Sequence, residues 1–470
     1  MKELEYKELL DRIFVRFPSV QNSGFGKEAY KPGLEHMVEF LDVLGNPHRA
    51  YRTVHVAGTN GKGSVCNMLA SSLSATGLKT GLYTSPHILD FRERMRILEE
   101  GDTPAPSSLD TAGGRGGLGE CLPQYGQSRQ PLGCHFDRSG EIYKLVPKEY
   151  VFDFLKRWGS EFERLNLSFF EITTGMAFKW FADEGVDVAV IEVGLGGRLD
   201  STNVIVPELS IITSIGLDHC DLLGDSLEAI AGEKAGIIKA GVPVVIGEYR
   251  PETAPVFIAK ADACKSQIYF ANSPDRICHP QTRNDGRWVK LDLQGEYQEA
   301  NLRTVLTALA VLGIEPDLEA IAHTAVRAGF GGRWEHLSER PLVICDIGHN
   351  AHALKHNFGQ LESMMASGEY DCLIIVYAVM ADKDLDAILP LMPQQAHYIF
   401  TTPKGKRAMP AAKILERYMS GQDQVCYPEA IDDVQEAVRE ALKEASAYKK
   451  PIIYIGGSTF AVAEAKPLFQ

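Results

Sequence analysis

Long apolar runs are missing from this sequence. No stretch approaches the roughly 20 apolar residues that a bilayer-spanning helix needs, so no membrane partner is expected. The first residues, Met1-Lys2-Glu3-Leu4-Glu5-Tyr6-Lys7, are charged where a signal peptide would be apolar. Paired cysteines are missing too. The nine (Cys66, Cys121, Cys134, Cys220, Cys264, Cys278, Cys345, Cys372 and Cys426) include no C-x-x-C, which speaks against a structural zinc site and for reduced thiols in a cytoplasm. An excess of basic charge is also lacking. Lys and Arg number 48 against 62 Asp and Glu, a net charge of −14. That balance disfavours non-specific binding to nucleic acid, although a local basic groove can still serve a small anion.

What is present reads as a soluble globular enzyme, with 45% hydrophobic and 23% charged residues. At 470 residues the chain exceeds one ordinary core, and two domains are expected. Strand-like runs alternate with helix-like stretches, the pattern of a parallel α/β fold. Thr53–Ala57, Val186–Glu192, Leu209–Ile215 and Val242–Ile246 read as strands of a first domain. A polar stretch around 285–300 suggests a boundary, giving domains of 1–296 and 297–470. Beyond it, Leu342–Asp346, Leu373–Tyr377, Tyr398–Phe400 and Ile452–Ile455 make a second, Rossmann-like sheet. Ile431, Val434, Val438, Ala441 and Leu442 form one helical face between the last two. One segment does not fit: Gly101–Gly140 holds nine glycines and four prolines, about a third of its residues. It reads as part of an inserted surface loop over 100–145.

The strongest local signal is Gly58-Thr59-Asn60-Gly61-Lys62-Gly63-Ser64, set between a strand and a helix. Backbone N–H groups of such a turn, added to a helix N-terminus, make a concave anion site. The lysine adds a point charge for outer phosphates, and a hydroxyl can reach Mg²⁺. The spacing is not G-x-x-x-x-G-K-[ST], since Gly63 separates Lys62 from Ser64, and no G-x-G-x-x-G supports a dinucleotide. Glu192 and Asp218-His219 end two strands on the same rim, where open α/β sheets place ligands. Read alone, Glu192 fits a turn contact as well as a cation ligand, and His219 fits a loop residue. Lys234 lies on a helix that starts near Asp225-Ser226, with Glu228 three residues after Asp225 as in a capping box, and Gly241 marks its end. Its spacing alone selects nothing beyond a solvated face. In the second domain, Arg333 and Asp346-Ile347-Gly348-His349-Asn350 flank a strand; the acid suits ribose hydroxyls, and the cations suit triphosphate charge.

These residues carry a family resemblance. The phosphate loop, the string Glu192-Val193-Gly194-Leu195-Gly196-Gly197-Arg198-Leu199-Asp200-Ser201-Thr202-Asn203, Leu217-Asp218-His219 and Glu233-Lys234-Ala235-Gly236-Ile237 resemble the folylpolyglutamate synthase/dihydrofolate synthase family of the Mur-ligase superfamily. Tyr30–Glu35, Tyr83–His87, Phe170–Thr174 and Val379–Asp384 add to the match, which runs from about residue 25 to the C-terminus apart from the insertion. The 192–203 string is the most specific part. Ala351 stands where the family has proline after His-Asn, and Gly331 precedes Gly332-Arg333 where the family has Pro-Gly-Arg.

The resemblance implies an N-terminal P-loop ATPase domain of Mur-ligase type that also binds the pterin, and a smaller C-terminal Rossmann-like domain completing the ATP and glutamate site. It implies that Thr59, Asn60, Gly61, Lys62, Gly63 and Ser64, with Asn301, Arg333 and Asp346, bind ATP. Ser85, Glu192 and His219 would be magnesium ligands. Lys234 corresponds to a lysine carbamylated in many members, which gives an acid group for a second ion. Lys62, Lys234 and His349 would be catalytic, with His349 near the phosphates. Lys31, Pro32, Gly33, Leu34, Phe170, Glu171 and Asp200 would face the pterin. The implied cofactors are ATP, two Mg²⁺ ions and a monovalent cation. The implied substrates are dihydropteroate or reduced folates and L-glutamate, handled by a monomer through an acyl-phosphate that leaves ADP and phosphate. Two rivals remain at this stage. A Mur-type ligase acting on a cell-wall UDP-sugar precursor leaves the 192–203 string without a reason, and a nucleotide-gated switch would want an N-K-x-D that the sequence lacks.

Overall fold

The computed structural model describes residues 3–17, 33–100, 142–273, 276–277, 289–405, 407–420 and 428–470. Lys31, Pro32 and nearly all of the 100–145 insertion lie outside them. The first sheet is built from β1 (Arg52–Ala57), β2 (Thr80–Tyr83), β3 (Met95–Leu98), β4 (Tyr143–Leu145), β5 (Val188–Glu192), β6 (Leu209–Ile212), β7 (Val244–Ile246) and β8 (Ile268–Phe270). Their order is β4-β3-β2-β5-β1-β6-β7-β8. The six strands from β2 to β8 in that order run parallel, and β3 and β4 are antiparallel additions at one edge. The central β5 and β6 are buried throughout, which is why they read as unbroken apolar runs rather than as alternating ones. A short hairpin, β9 (Asn272–Ser273) with β10 (Arg276–Ile277), follows β8.

Behind the phosphate loop the helix Lys62–Ala75 is buried at every position from Gly63 to Ser74. Some of its polar groups bond within the helix: Asn67 Nδ2 donates to Gly63 O at 2.7 Å and Ser74 Oγ to Ser71 O at 3.0 Å. Val65, Met68 and Leu69 share a core with Leu302, Val305, Ala308, Leu309, Ile321 and Ala328. The helices Gln298–Leu312, Leu318–Ala322 and Thr324–Ala328 therefore pack with the first sheet. On that packing we draw the domain boundary within 329–334, not at 296/297 as the polar stretch suggested.

The second sheet comprises β11 (Glu335–Glu339), β12 (Leu342–Asp346), β13 (Cys372–Tyr377), β14 (His397–Thr401), β15 (Glu429–Ile431) and β16 (Pro451–Gly456). Its order is β11-β12-β16-β13-β14-β15, parallel except for β11. The helix expected from Ile431 onward begins at Val434, because the Asp433 carboxylate caps it by accepting from Gln435 N at 2.9 Å and Glu436 N at 3.0 Å. Ile431 belongs to β15. No helix of the described residues is long and apolar enough to cross a membrane, and no disulfide links Cys66, Cys220, Cys264, Cys345 and Cys372.

Candidate functional site

A cleft of about 440 Å³ opens where the carboxyl ends of the first sheet's strands face the second domain. Thr59 to Ser64, Ser85 and Glu192 wall it on one side; Arg333, Asp346 and His349 wall it on the other, with Asn301 at the join. The loop turns at Gly61 (φ +84°), where a Cβ would stand 2.3 Å from Asn301 Oδ1, so only glycine fits. Gly61 caps the buried helix without a side-chain acceptor, which leaves the first N–H groups directed at whatever anion occupies the turn. Lys62 folds back over its own loop, its Nζ donating to Gly58 O at 2.9 Å and Thr59 O at 3.2 Å. The loop is moored to the end of β6: Thr59 N donates to Ser214 O at 2.8 Å, and Thr59 Oγ1 donates to Gly216 O at 3.1 Å.

Glu192, at the end of β5, is 3% exposed and accepts from Ser85 N at 3.1 Å. Burial pushes its carboxyl up, against the pull of Lys62, the Ser85 N–H and Arg333. A cation placed there would restore the charged form. His219 caps the short turn Cys220–Leu223 and lies 3.6 Å from Asp218. Burial lowers its pKa to about 3, so the ring is neutral, the form that ligates metals. Among the described residues no three His, Cys, Asp or Glu side chains form a cage. An ion like Mg²⁺, which takes one or two carboxylates and completes its shell with phosphate and water, needs none. The oxygen donors Ser85 and Glu192 fit such an ion.

Lys234 departs from the solvated-face reading. It is 3% exposed, and burial together with Lys62 lowers its pKa to about 7. Its helix runs Leu227–Ala235 and is capped by Ser226 Oγ, which accepts from Ala229 N at 3.2 Å. The Asp225–Glu228 box does not form, and the helix stops before Gly236, well short of Gly241. The glycine string explains itself here. A Cβ at Gly197 would stand 2.9 Å from Glu233 O and 3.0 Å from Lys234 Cα, so the loop after β5 lies flat against the end of this helix.

On the side expected to hold the pterin, Asp200 is stapled into its loop, accepting from Leu195 N at 2.9 Å, from Thr202 N at 3.0 Å and from the Thr202 hydroxyl. Phe170 lies under Gly194, where a Cβ would come within 2.4 Å of its ring. Glu171 does something else: its carboxylate accepts from Ser168 N and Oγ, both at 2.7 Å, in a capping box that starts the helix Phe169–Asp183. Its charge is directed at its own helix. Gly33 and Leu34 lead into the helix Glu35–Val43, which Leu34 caps.

Across the cleft, Asp346 ends β12 and accepts four hydrogen bonds: from Tyr297 Oη at 2.6 Å, Trp334 N at 2.8 Å, Gly348 N at 2.7 Å and Asn357 Nδ2 at 2.8 Å. These fix the carboxylate, so it shapes the wall besides lining it. The Arg333 guanidinium stacks 4.8 Å over Phe330 and comes within 3.5 Å of where a Gly63 Cβ would be, reaching the phosphate loop from the other domain. Asn301 Nδ2 donates to Gln298 Oε1 at 2.8 Å, leaving its oxygen facing Gly61. His349 Nδ1 lies 3.0 Å from Ile347 O and its Nε2 3.6 Å from Asp218.

Tyr297 and His352 line the cleft without a role from the sequence, and Asp218, Asn350 and Lys383 form a bonded group joined to Asn60. Lys383 Nζ donates to Asp218 Oδ1 at 2.7 Å across the two domains. Burial alone would raise the Asp218 carboxyl, yet His349, His219 and Lys383 together hold it well below the usual range. Asp218 and Lys383 stood in recognised strings, but only folding brings residues 165 positions apart into contact.

The family model described as "Mur ligase, glutamate ligase domain" matches residues 332–458, close to the second domain as the packing defines it. The folylpolyglutamate synthase of Lacticaseibacillus casei is 30% identical over 92% of this chain and 93% of its own. A structure of Escherichia coli FolC in complex with DHPP and ADP superposes with a TM-score of 0.73 at 25% identity, covering 98% of this chain and 97% of that one. A bifunctional folylpolyglutamate synthase/dihydrofolate synthase of Yersinia pestis, complexed with AMPPNP and a Mn ion, does so at 0.70 and 26% identity, over 94% and 95% of the two chains.

Proposed function

The chain belongs to the folylpolyglutamate synthase/dihydrofolate synthase family, and from that premise we propose a division of labour for the cleft. The enzyme is an ATP-dependent ligase that joins L-glutamate to dihydropteroate and to folylpolyglutamates. The observation that carries the reading is one cleft walled by Thr59–Ser64 and Glu192 from the first domain and by Arg333, Asp346 and His349 from the second. An anion-binding turn, a buried acid and an arginine from the facing domain are what phosphoryl transfer needs at one point.

A carboxylate is a poor acyl donor at neutral pH. Transfer of the γ-phosphoryl of ATP to the pterin-borne carboxylate makes an acyl-phosphate; the glutamate amine attacks it, and collapse of the tetrahedral adduct leaves amide, with ADP and phosphate released. In this scheme the N–H groups at Gly61–Ser64 and the Lys62 ammonium hold the phosphates. Arg333 neutralises charge that develops on the transferred group, and Asp346 with Asn301 positions the nucleoside. Ser85, Glu192 and His219 would hold a divalent cation, which would supply charge neutralisation, and a carbamylated Lys234 would serve a second such ion. For Lys234 the support is physical: carbamate forms only from the neutral amine, and a pKa of about 7 supplies it. We assign Phe170 and the Gly194–Asp200 loop to the pterin, and the second domain to glutamate. A monovalent cation, a monomeric state and a cytoplasmic location complete the proposal.

The test is substrate dependence. Purified protein with ATP, Mg²⁺ and glutamate should release ADP only when dihydropteroate or tetrahydrofolate is also present, with products heavier by one glutamyl unit. ATP turnover independent of pterin and glutamate would sink the ligase reading.

A further inference from the structure

We propose that Asn350 is a positioning residue that locks the phosphate loop to the second domain, so that nucleotide held by the loop becomes reactive only in the domain-closed arrangement. The inference rests on the ligase reading and gives work to a residue which that reading leaves idle.

The Asn350 carboxamide is 5% exposed, and it makes four hydrogen bonds. One is local: its Oδ1 accepts from Ala353 N at 2.9 Å and caps the helix Ala351–Ala366. The other three cross to the first domain. Asn350 Oδ1 accepts from Asn60 Nδ2 at 3.1 Å; Asn350 Nδ2 donates to Asn60 Oδ1 at 3.1 Å and to Asp218 Oδ2 at 3.0 Å. Asn60 is the middle of the phosphate loop, and Asp218 follows the strand that moors it. Two carboxamides facing each other in a reciprocal pair constrain direction as well as distance, unlike a surface ion pair.

The orientation of the pair is determined. Ala353 N requires an oxygen, and the Asp218 carboxylate requires an N–H, so the Asn350 amide cannot flip. That fixes Asn60 in turn. Its Nδ2 also faces His352 Nδ1 at 2.9 Å. Arg250 Nη2, which can only donate, faces His352 Nε2 at 3.0 Å, so Asn350 holds Asn60 with a donor toward a ring whose other nitrogen already faces one. Removal of the Asn350 amide would free Asn60 to turn over and present its oxygen to His352 Nδ1.

The loop's bonds to its own domain do not involve Asn350. Asn60 N donates to Ser214 Oγ at 3.2 Å and Thr213 Oγ1 to Asn60 O at 2.6 Å. Loss of the amide should therefore spare nucleotide binding by the loop and impair the step that needs both walls aligned.

Asn350→Ser separates the two roles, since a serine hydroxyl still caps the helix but reaches neither Asn60 nor Asp218. In the full-length protein we expect it to leave the melting temperature and ADP affinity within about twofold of the parent while kcat falls tenfold or more, in line with the cost of a misplaced reactive geometry. Asn350→Asp, isosteric and also a cap, sets a carboxylate against Asp218 and should fall at least as far. If the contact is the cause, the double variant Asn60→Ala/Asn350→Ser loses no more than the worse single one. A kcat like the parent's in Asn350→Ser, or losses that multiply in the double variant, would overturn the proposal. Nitrogen-15 NMR of His352 gives a readout free of catalysis: the Nδ1 signal should shift in Asn350→Ser, where Asn60 is free to turn its oxygen toward the ring. An unchanged Nδ1 signal would overturn the coupling even in a protein that failed the ligation assay.

Discussion

The two walls of the cleft are made in opposite ways. The first-domain wall is mainly one contiguous turn, Thr59–Ser64, which presents backbone N–H groups and a single lysine, with Glu192 added from the neighbouring strand. The facing wall collects side chains that others hold in place, from Tyr297 of the first domain to Asp346 of the second: Asp346 by four donors, Arg333 by its stack on Phe330. A wall of backbone tolerates little beyond glycine where the chain turns. A wall of mutually satisfied side chains fails when any partner leaves a buried polar group unmet.

Substitutions can break or sharpen that contrast. The largest effect is expected at Glu192. Glu192→Gln keeps the volume and the Ser85 contact but removes the charge, and kcat should drop about 100-fold or more with an unchanged circular dichroism spectrum. Activity near the parent's would remove Glu192 from the metal site. On the facing wall, Arg333→Ala should cost about 10- to 100-fold in kcat/KM for ATP. Arg333→Lys should recover only part of this, because a lysine cannot reproduce the planar stack on Phe330; full recovery would reduce Arg333 to a point charge.

Lys234 tests the interior behind the first wall through pH. Its folded pKa of about 7 lies below its ordinary 10.5, so between those values the unfolded chain holds the extra proton. Stability from this group therefore rises with pH across that window and is lowest below pH 7. In buffer free of carbon dioxide, Lys234→Met should melt roughly 3 °C or more higher at pH 6 and show a flatter profile up to pH 9. A lower melting temperature at pH 6 would mean that the ammonium is stabilised by partners. The smallest effect belongs to the insertion. Glu99 N donates to Ile142 O at 3.0 Å, and β3 pairs antiparallel with β4, so the chain leaves and re-enters at adjacent points. Removing 101–140 and closing with a two-residue turn should leave activity within about twofold; failure to fold would show that the segment is structural.

Much of the first wall was legible because its chemistry is local. Glycines, a lysine and a hydroxyl between a strand and a helix have few other uses, and the apolar runs at 188–192 and 209–212 placed the acid and the histidine on one rim. Lys234 was not legible from pattern. Helical spacing shows which residues share a face, not that the Gly194–Gly197 loop will cover it. The capping contacts of Glu171 were hidden for a related reason: its place in a recognised string says nothing of Ser168, from whose N–H and hydroxyl it accepts. We place the domain boundary after the polar stretch because core membership, not loop polarity, bounds a domain; the helices from 298 to 328 complete the packing around Val65–Leu69. The amide network of Asn60 and Asn350 spans 290 positions, and nothing in either local sequence announces it.

The account's central claim is that ATP activates a pterin-borne carboxylate as an acyl-phosphate inside this cleft. Dihydropteroate labelled with heavy oxygen in its carboxylate tests it directly, by mass analysis of the phosphate released during ligation. The prediction is one labelled oxygen in the phosphate for each amide formed. Amide formation with unlabelled phosphate would contradict it.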